Sequence, residues 1–137
     1  MFEQYIVNEK GFRNVSKSGE VIGFEVQLRI PYYRGLPMSC VQNIQLKIDD
    51  ELITQEQMKI LVQGETFNYS EISTAINHRW GMTDTITVFV EKSGGLSEGQ
   101  HKVYTFVSLR ISYQPHPNEG ADEKQLILEK TREEGAE

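Results

Sequence analysis

The chain has 137 residues, 38% hydrophobic and 25% charged, with a formal net charge of −6 and one cysteine, Cys40. A domain of this length buries roughly two-thirds of the surface its unfolded form exposes, so it folds without needing a disulfide or a metal. The acidic balance argues against nucleic acid or an anionic membrane as partner, the lone thiol fits a reducing compartment, and no segment reaches the roughly 20 apolar residues that span a bilayer. The expected location is the cytoplasm.

In chain order, residues 2–7 read as a first strand and residues 12–15 as a short second one, before the Ser16-Lys17-Ser18-Gly19 turn. From Ile22 to Ile30 the even positions are Ile22, Phe24, Val26, Leu28 and Ile30, and the odd ones are polar or small. Period-two alternation of this kind makes a strand with one dry and one wet face. Ile44, Leu46 and Ile48 repeat it and run into the turn Asp49-Asp50-Glu51; Met58, Ile60 and Val62 repeat it again. Residues 70–78 form the one good helix candidate, with Ser70 as cap and Ile72 and Ile76 four apart on one face. Ile86, Val88 and Val90 make a further strand, ending at Lys92-Ser93-Gly94-Gly95. The longest run covers residues 102–113, with Val103, Thr105, Val107, Leu109, Ile111 and Tyr113 on one face and Tyr104 and Phe106 on the other. Pro115 and Pro117 stop it, because proline cannot donate to a ladder. Residues 125–128 read as an edge strand, and residues 129–137 as a charged, disordered tail. The expectation is one domain over residues 1–128, a mainly β antiparallel β-sandwich with one short helix, a partly closed barrel being the nearest rival.

No complete catalytic or metal site emerges. His78, His101 and His116 are too far apart in sequence for a paired-imidazole metal motif, and Glu98 and His101 lie in a hairpin region, not on a helix. Cys40 lacks a CxxC partner. Gly94-Gly95-Leu96-Ser97-Glu98-Gly99 has neither a following helix nor the lysine of a phosphate loop, and the 49–51 cluster lacks calcium-loop spacing. Catalytic residues, metals and cofactors are therefore not expected in this chain, although His78 and His116 are the histidines to test.

Two clusters stand out. Pro31-Tyr32-Tyr33-Arg34-Gly35-Leu36-Pro37 follows the best strand, stiffened by two prolines; Asn77-His78-Arg79-Trp80 follows the helix candidate and holds the only tryptophan. Tyr, Trp and Arg anchor interfaces, because each offers a large contact area with a polar handle. The purely structural alternative is that Tyr32, Tyr33 and Trp80 cap the ends of the core.

These clusters also carry a resemblance. Met1-Phe2-Glu3-Gln4-Tyr5, Arg29-Ile30-Pro31-Tyr32-Tyr33-Arg34-Gly35-Leu36-Pro37, Arg79-Trp80, Gly94-Gly95-Leu96 with Gly99 and His101, and Leu109-Arg110-Ile111-Ser112-Tyr113 with Pro115 occur in one order and spacing. Together they resemble the small (beta) subunit of bacterial C-glycoside deglycosidases, over roughly residues 1–128. The resemblance implies a non-catalytic subunit of a lyase complex. It also implies an alpha partner that is a sugar-isomerase-like barrel holding the catalytic base and a divalent metal, expected to be manganese. The substrate is a C-glycoside whose sugar is already oxidised to the 3-keto form. The residues expected to face the partner or wall its pocket are Tyr32, Tyr33, Arg34, Arg79, Trp80, Tyr113 and His116. Two other classes stay open: a stand-alone carbohydrate- or polyphenol-binding module, and a structural adaptor.

Overall fold

The structure is a computed structural model, and it describes residues 5–32 and 34–134. Twelve strands follow in order: β1 (Arg13–Lys17), β2 (Glu20–Arg29), β3 (Leu36–Pro37), β4 (Val41–Ile48), β5 (Glu51–Leu52), β6 (Met58–Val62), β7 (Glu65–Asn68), β8 (Arg79–Trp80), β9 (Thr85–Glu91), β10 (Gln100–Leu109), β11 (Asn118–Ile127) and β12 (Glu129–Glu133). They form a six-stranded sheet, β12-β1-β2-β9-β6-β7, a four-stranded sheet, β11-β10-β4-β5, and a two-stranded pair of β3 with β8. The dry faces named by the alternation meet in one core: Phe24, Val26, Leu28, Met58, Ile60, Ile86, Val88 and Val90 from the large sheet, Ile44, Leu46, Val103 and Val107 from the small one. Thr105, a polar residue on the β10 dry face, is fully buried and satisfied by donating to the Gln45 carbonyl at 2.9 Å. The expected mainly β fold of packed antiparallel sheets is the one observed.

Four local expectations change. The helix over 70–78 is instead a 3₁₀ segment over Tyr69–Thr74, opened by a capping box of Asn68 and Glu71. A 3₁₀ turn brings residues three apart onto one face, so Ile72 and Ala75 are buried and Ile76 is left exposed. The Tyr69 hydroxyl, which accepts the Ile44 N–H, pins this segment to β4. The long strand stops at Leu109, where its register against β4 shifts and the Arg110 N–H turns to the Cys40 carbonyl. Tyr113 is thereby released from the dry face and is 67% exposed.

The edge strand expected at 125–128 begins already at Asn118 and pairs along the whole of β10. The disordered tail is also corrected. Glu129–Glu133 pair in parallel with β1, and only residues 135–137 of that tail lie outside the described residues. Ions decide this: Arg132 and Arg13 both bond the carboxylate of Glu25, which is buried although it sits at a wet position of the alternation, and Glu133 takes the Ser16 hydroxyl. Of the first expected strand, residues 2–4 lie outside the described residues and Val7 makes one antiparallel bridge to Leu28.

Candidate functional site

The two clusters singled out in the sequence, more than 40 residues apart, are joined in space. β3, the end of the proline-bounded loop, is zipped to β8 with Leu36 opposite Trp80 and Pro37 opposite Arg79. The Arg79 Nη2 donates to the Gly35 carbonyl at 2.9 Å, and the Arg79 N–H donates to Gln63 Oε1 at 2.7 Å. Gly35 packs tightly against β8: a Cβ there would stand 3.0 Å from the Trp80 carbonyl oxygen and 3.1 Å from the Gly81 Cα, so a larger residue would have to push that backbone aside by a few tenths of an ångström. The start of the loop is tied twice: Asn118 Nδ2 donates to the Pro31 carbonyl at 2.9 Å, and the Tyr32 and Tyr113 hydroxyls lie 2.7 Å apart.

One end of the sandwich therefore gathers five of the candidate residues, with Arg79 and Arg34 exposed, Tyr32 half-buried, and Tyr113 and His116 exposed. Trp80 departs from the expectation. It is fully buried in the core, so its ring cannot meet a partner; it fixes β8 from below and leaves Arg79 at the surface. Tyr33 lies outside the described residues. Two hollows flank the Tyr32–Tyr113 pair. One, of about 400 Å³, lies among Tyr5, Ile30, Pro31, Tyr32 and Asn118; the other, of about 390 Å³, lies among Gln42, Arg110, Ile111, Pro115 and His116. Gln114 borders both. Asn118 and Gln114 were missed in the sequence because a lone amide beyond a proline pair carries no pattern.

Elsewhere the chemistry is structural. His78 Nε2 lies 3.0 Å from Glu65 and its ring meets the edge of Phe67. His101 is buried at the opposite end, its Nδ1 2.6 Å from the Asp49 carboxylate and its Nε2 2.7 Å from the Ser97 carbonyl. Both partners accept only, so both ring nitrogens are donors and the imidazole is charged. Burial is the largest influence on this group and lowers its pKa, but the Ser97 bond and the Asp49 bond and charge outweigh it and hold the pKa above the ordinary value. Asp49 is lowered in turn, first by its hydrogen bond to His101. The glycine motif is a clasp as well: Asn14 Oδ1 accepts the Leu96 N–H and Asn14 Nδ2 donates to the Leu96 carbonyl, both at 2.9 Å. A shallow cleft on the outer face of the large sheet is floored by Arg13, Glu25 and Arg132, which satisfy one another. Among the described residues no group of three His, Cys, Asp or Glu side chains could hold a metal, and no helix is long and apolar enough to cross a membrane.

The comparisons with known proteins bear on this arrangement. The sequence model of the C-glycoside deglycosidase beta subunit family matches residues 2–113. The chain belongs to that family. It is 29% identical over 114 residues to the C-glycoside deglycosidase beta subunit of Eubacterium cellulosolvens, covering 82% of this chain and 78% of the relative. It is 32% identical over 91 residues to the beta subunit so named from Microbacterium trichothecenolyticum, covering 64% and 66%. A 3'-dehydrocarminate deglycosidase beta subunit from a Microbacterium species is 27% identical over 93 residues, 68% of this chain and 70% of the relative. The matched region of this beta-subunit family member holds Tyr32, Arg34, Arg79 and Tyr113, whereas Asn118 and His116 follow it.

Proposed function

We propose that this chain is the non-catalytic beta subunit of a C-glycoside deglycosidase and that it docks on its alpha subunit through the end bearing Tyr32, Arg34, Arg79 and Tyr113. The observation that carries the reading is the joining of the Pro31–Pro37 loop to Arg79 and Trp80, which concentrates arginine and tyrosine at one proline-stiffened end of a chain without a metal cluster among its described residues. Tyr and Arg on a preformed frame are what interfaces use, since little side-chain freedom is lost when they engage. Docked there, the subunit stiffens the active-site loops of its partner, a sugar-isomerase-like barrel, and offers a tyrosine wall to the flat aglycone.

The chemistry belongs to the partner. A ketone at C3 of the sugar acidifies the hydrogen at C2. A base removes that proton, and the resulting enolate expels the aryl carbon from C1, which takes up a proton as the C1–C2 double bond forms. The divalent metal of the partner, manganese, supplies charge stabilisation at the carbonyl oxygen. The "3'-dehydro" in the name of one relative denotes an oxidised sugar, and that supports a 3-keto C-glycoside as substrate.

The test is turnover of a 3-keto C-glucoside with this chain alone, the alpha subunit alone, and the two together. Turnover and co-elution only in the mixture support the reading. Arg34→Ala should then weaken assembly on the order of tenfold, as loss of an interface anchor does. Full activity of the alpha subunit alone, or the absence of any complex, would remove it.

A further inference from the structure

Resting on the docking reading above, we propose that Asn118 is a positioning residue that holds the entry of the Pro31–Pro37 loop, at Pro31 and Tyr32, in the position its partner recognises. The described residues of the loop are tied at Pro31, Tyr32 and Gly35 by side chains from elsewhere in the chain. Asn118 Nδ2 binds the Pro31 carbonyl, the Tyr113 hydroxyl meets that of Tyr32, and Arg79 binds the Gly35 carbonyl. These partners stand 87, 81 and 44 residues away from their targets. Of the three, Asn118 is the one set on a rigid base. It opens β11 opposite Leu109, and that ladder continues through ten residue pairs to Gln100 and Ile127. Tyr113 sits in an irregular turn and Arg79 on a two-residue strand. Asn118 also closes one side of the hollow beside Tyr32, so its amide fixes both the loop and the shape of the recess next to it.

A side chain that acts by preorganisation has a distinct kinetic signature. If the loop is in its binding shape only part of the time, apparent affinity falls by that fraction. The loss appears in the association rate, because in the formed complex the partner itself holds the loop. A residue that merely contacts the partner, by contrast, raises the dissociation rate when it is removed.

The experiment measures binding of the full-length chain to its cognate alpha subunit by surface plasmon resonance, for wild type, Asn118→Ala, Asn118→Asp and Arg34→Ala. Aspartate keeps the shape of Asn118 but has no N–H to give to Pro31. Both Asn118 variants should associate roughly five- to tenfold more slowly and dissociate within about twofold of wild type. Hydrogen exchange at the Arg34 and Gly35 amides of the free chain should speed up in both, while the amides of β10 stay protected, which also shows that the variants are folded. Arg34→Ala should act mainly on dissociation. If Arg34→Ala weakens binding and the Asn118 variants associate at the wild-type rate, the positioning role fails and the docking reading stands. A faster dissociation in the Asn118 variants with unchanged association overturns it too, making Asn118 a contact. If wild type does not bind at all, both fall together.

Discussion

The two ends of this sandwich are closed in different ways. At one end lie the turns at Ser18-Gly19, Asp49-Asp50 and Gly94-Gly95, all with positive φ, closed by charge and by tight backbone geometry. His101 bridges Asp49 and Ser97 there, and Glu133 caps the Ser16–Ser18 turn. At the other end, beside one tight turn at Gln63-Gly64, lie all four prolines, Pro31, Pro37, Pro115 and Pro117, and the chain travels in extended loops held by neutral hydrogen bonds from Asn118, Tyr32 and Tyr113 and by Arg79. Glycine turns reverse a chain in the fewest residues and leave little surface to offer. Proline-bounded loops project side chains at low entropic cost, and this is the end where arginine and tyrosine gather. The sequence motifs divide the same way: Gly94-Gly95-Leu96 with His101 belongs to the clasped end, and Pro31–Pro37 and Arg79-Trp80 to the presenting end.

The contrast can be broken at several points. The largest effect should come from Trp80→Ala, which empties a fully buried site beneath the presenting loops and should cost about 3–5 kcal/mol. Chemical denaturation would check it, and an unchanged midpoint would mean that this end is not seated on the core. Next is Glu25→Ala, which leaves the Arg13 and Arg132 guanidiniums facing each other. Both arginines are about one-third exposed, so water softens the loss to roughly 2 kcal/mol. Truncation after Leu128 should reproduce part of that loss; no loss in either variant would return β12 to the status of a frayed tail.

A smaller effect, specific to the clasped end, is pH dependence. The folded pKa of His101 lies above its unfolded value near 6.5, so its stabilisation is fully present below that value and is lost as pH rises through the folded one. Melting temperatures of wild type and His101→Gln should therefore differ most below about pH 6.5 and converge as pH rises above it. Asp49 works in the opposite sense: lowered in the fold, it contributes above about 3.8 and its contribution is lost as pH falls through the folded value. The smallest expected change is Tyr113→Phe in the isolated chain. It removes an exposed hydroxyl contact and should shift stability by about 0.5 kcal/mol or less, while a measurable loss of alpha-subunit binding would locate its role at the interface.

Much of the fold was legible because burial on one face of a sheet writes itself as alternation. β2, β4, β6, β9 and most of β10 follow from Val26, Leu46, Ile60, Val88, Val107 and their neighbours two residues away. The candidate site was legible in its residue types, Tyr32, Arg34 and Arg79, but not in its geometry. Trp80 shows the difference: an aromatic beside an arginine reads the same whether it faces a partner or the core, and only the β3–β8 pairing, which places it opposite Leu36, decides.

By itself, then, the sequence determined the β class, the dry faces of the main strands, the turn positions and the family, since each depends on local periodicity, on backbone preference or on shared motifs. Tertiary structure alone decided four things. It paired the charged strand Glu129–Glu133 with β1, buried Glu25 between two arginines, shortened the helix to a 3₁₀ turn, and tied Pro31 to Asn118. The physical reason is common to all four. Each depends on a partner far away in the sequence, such as Arg132 for Glu25, Ile44 for Tyr69 or Asn118 for Pro31, and no local pattern records which distant polar group a side chain will meet once the sheets have closed.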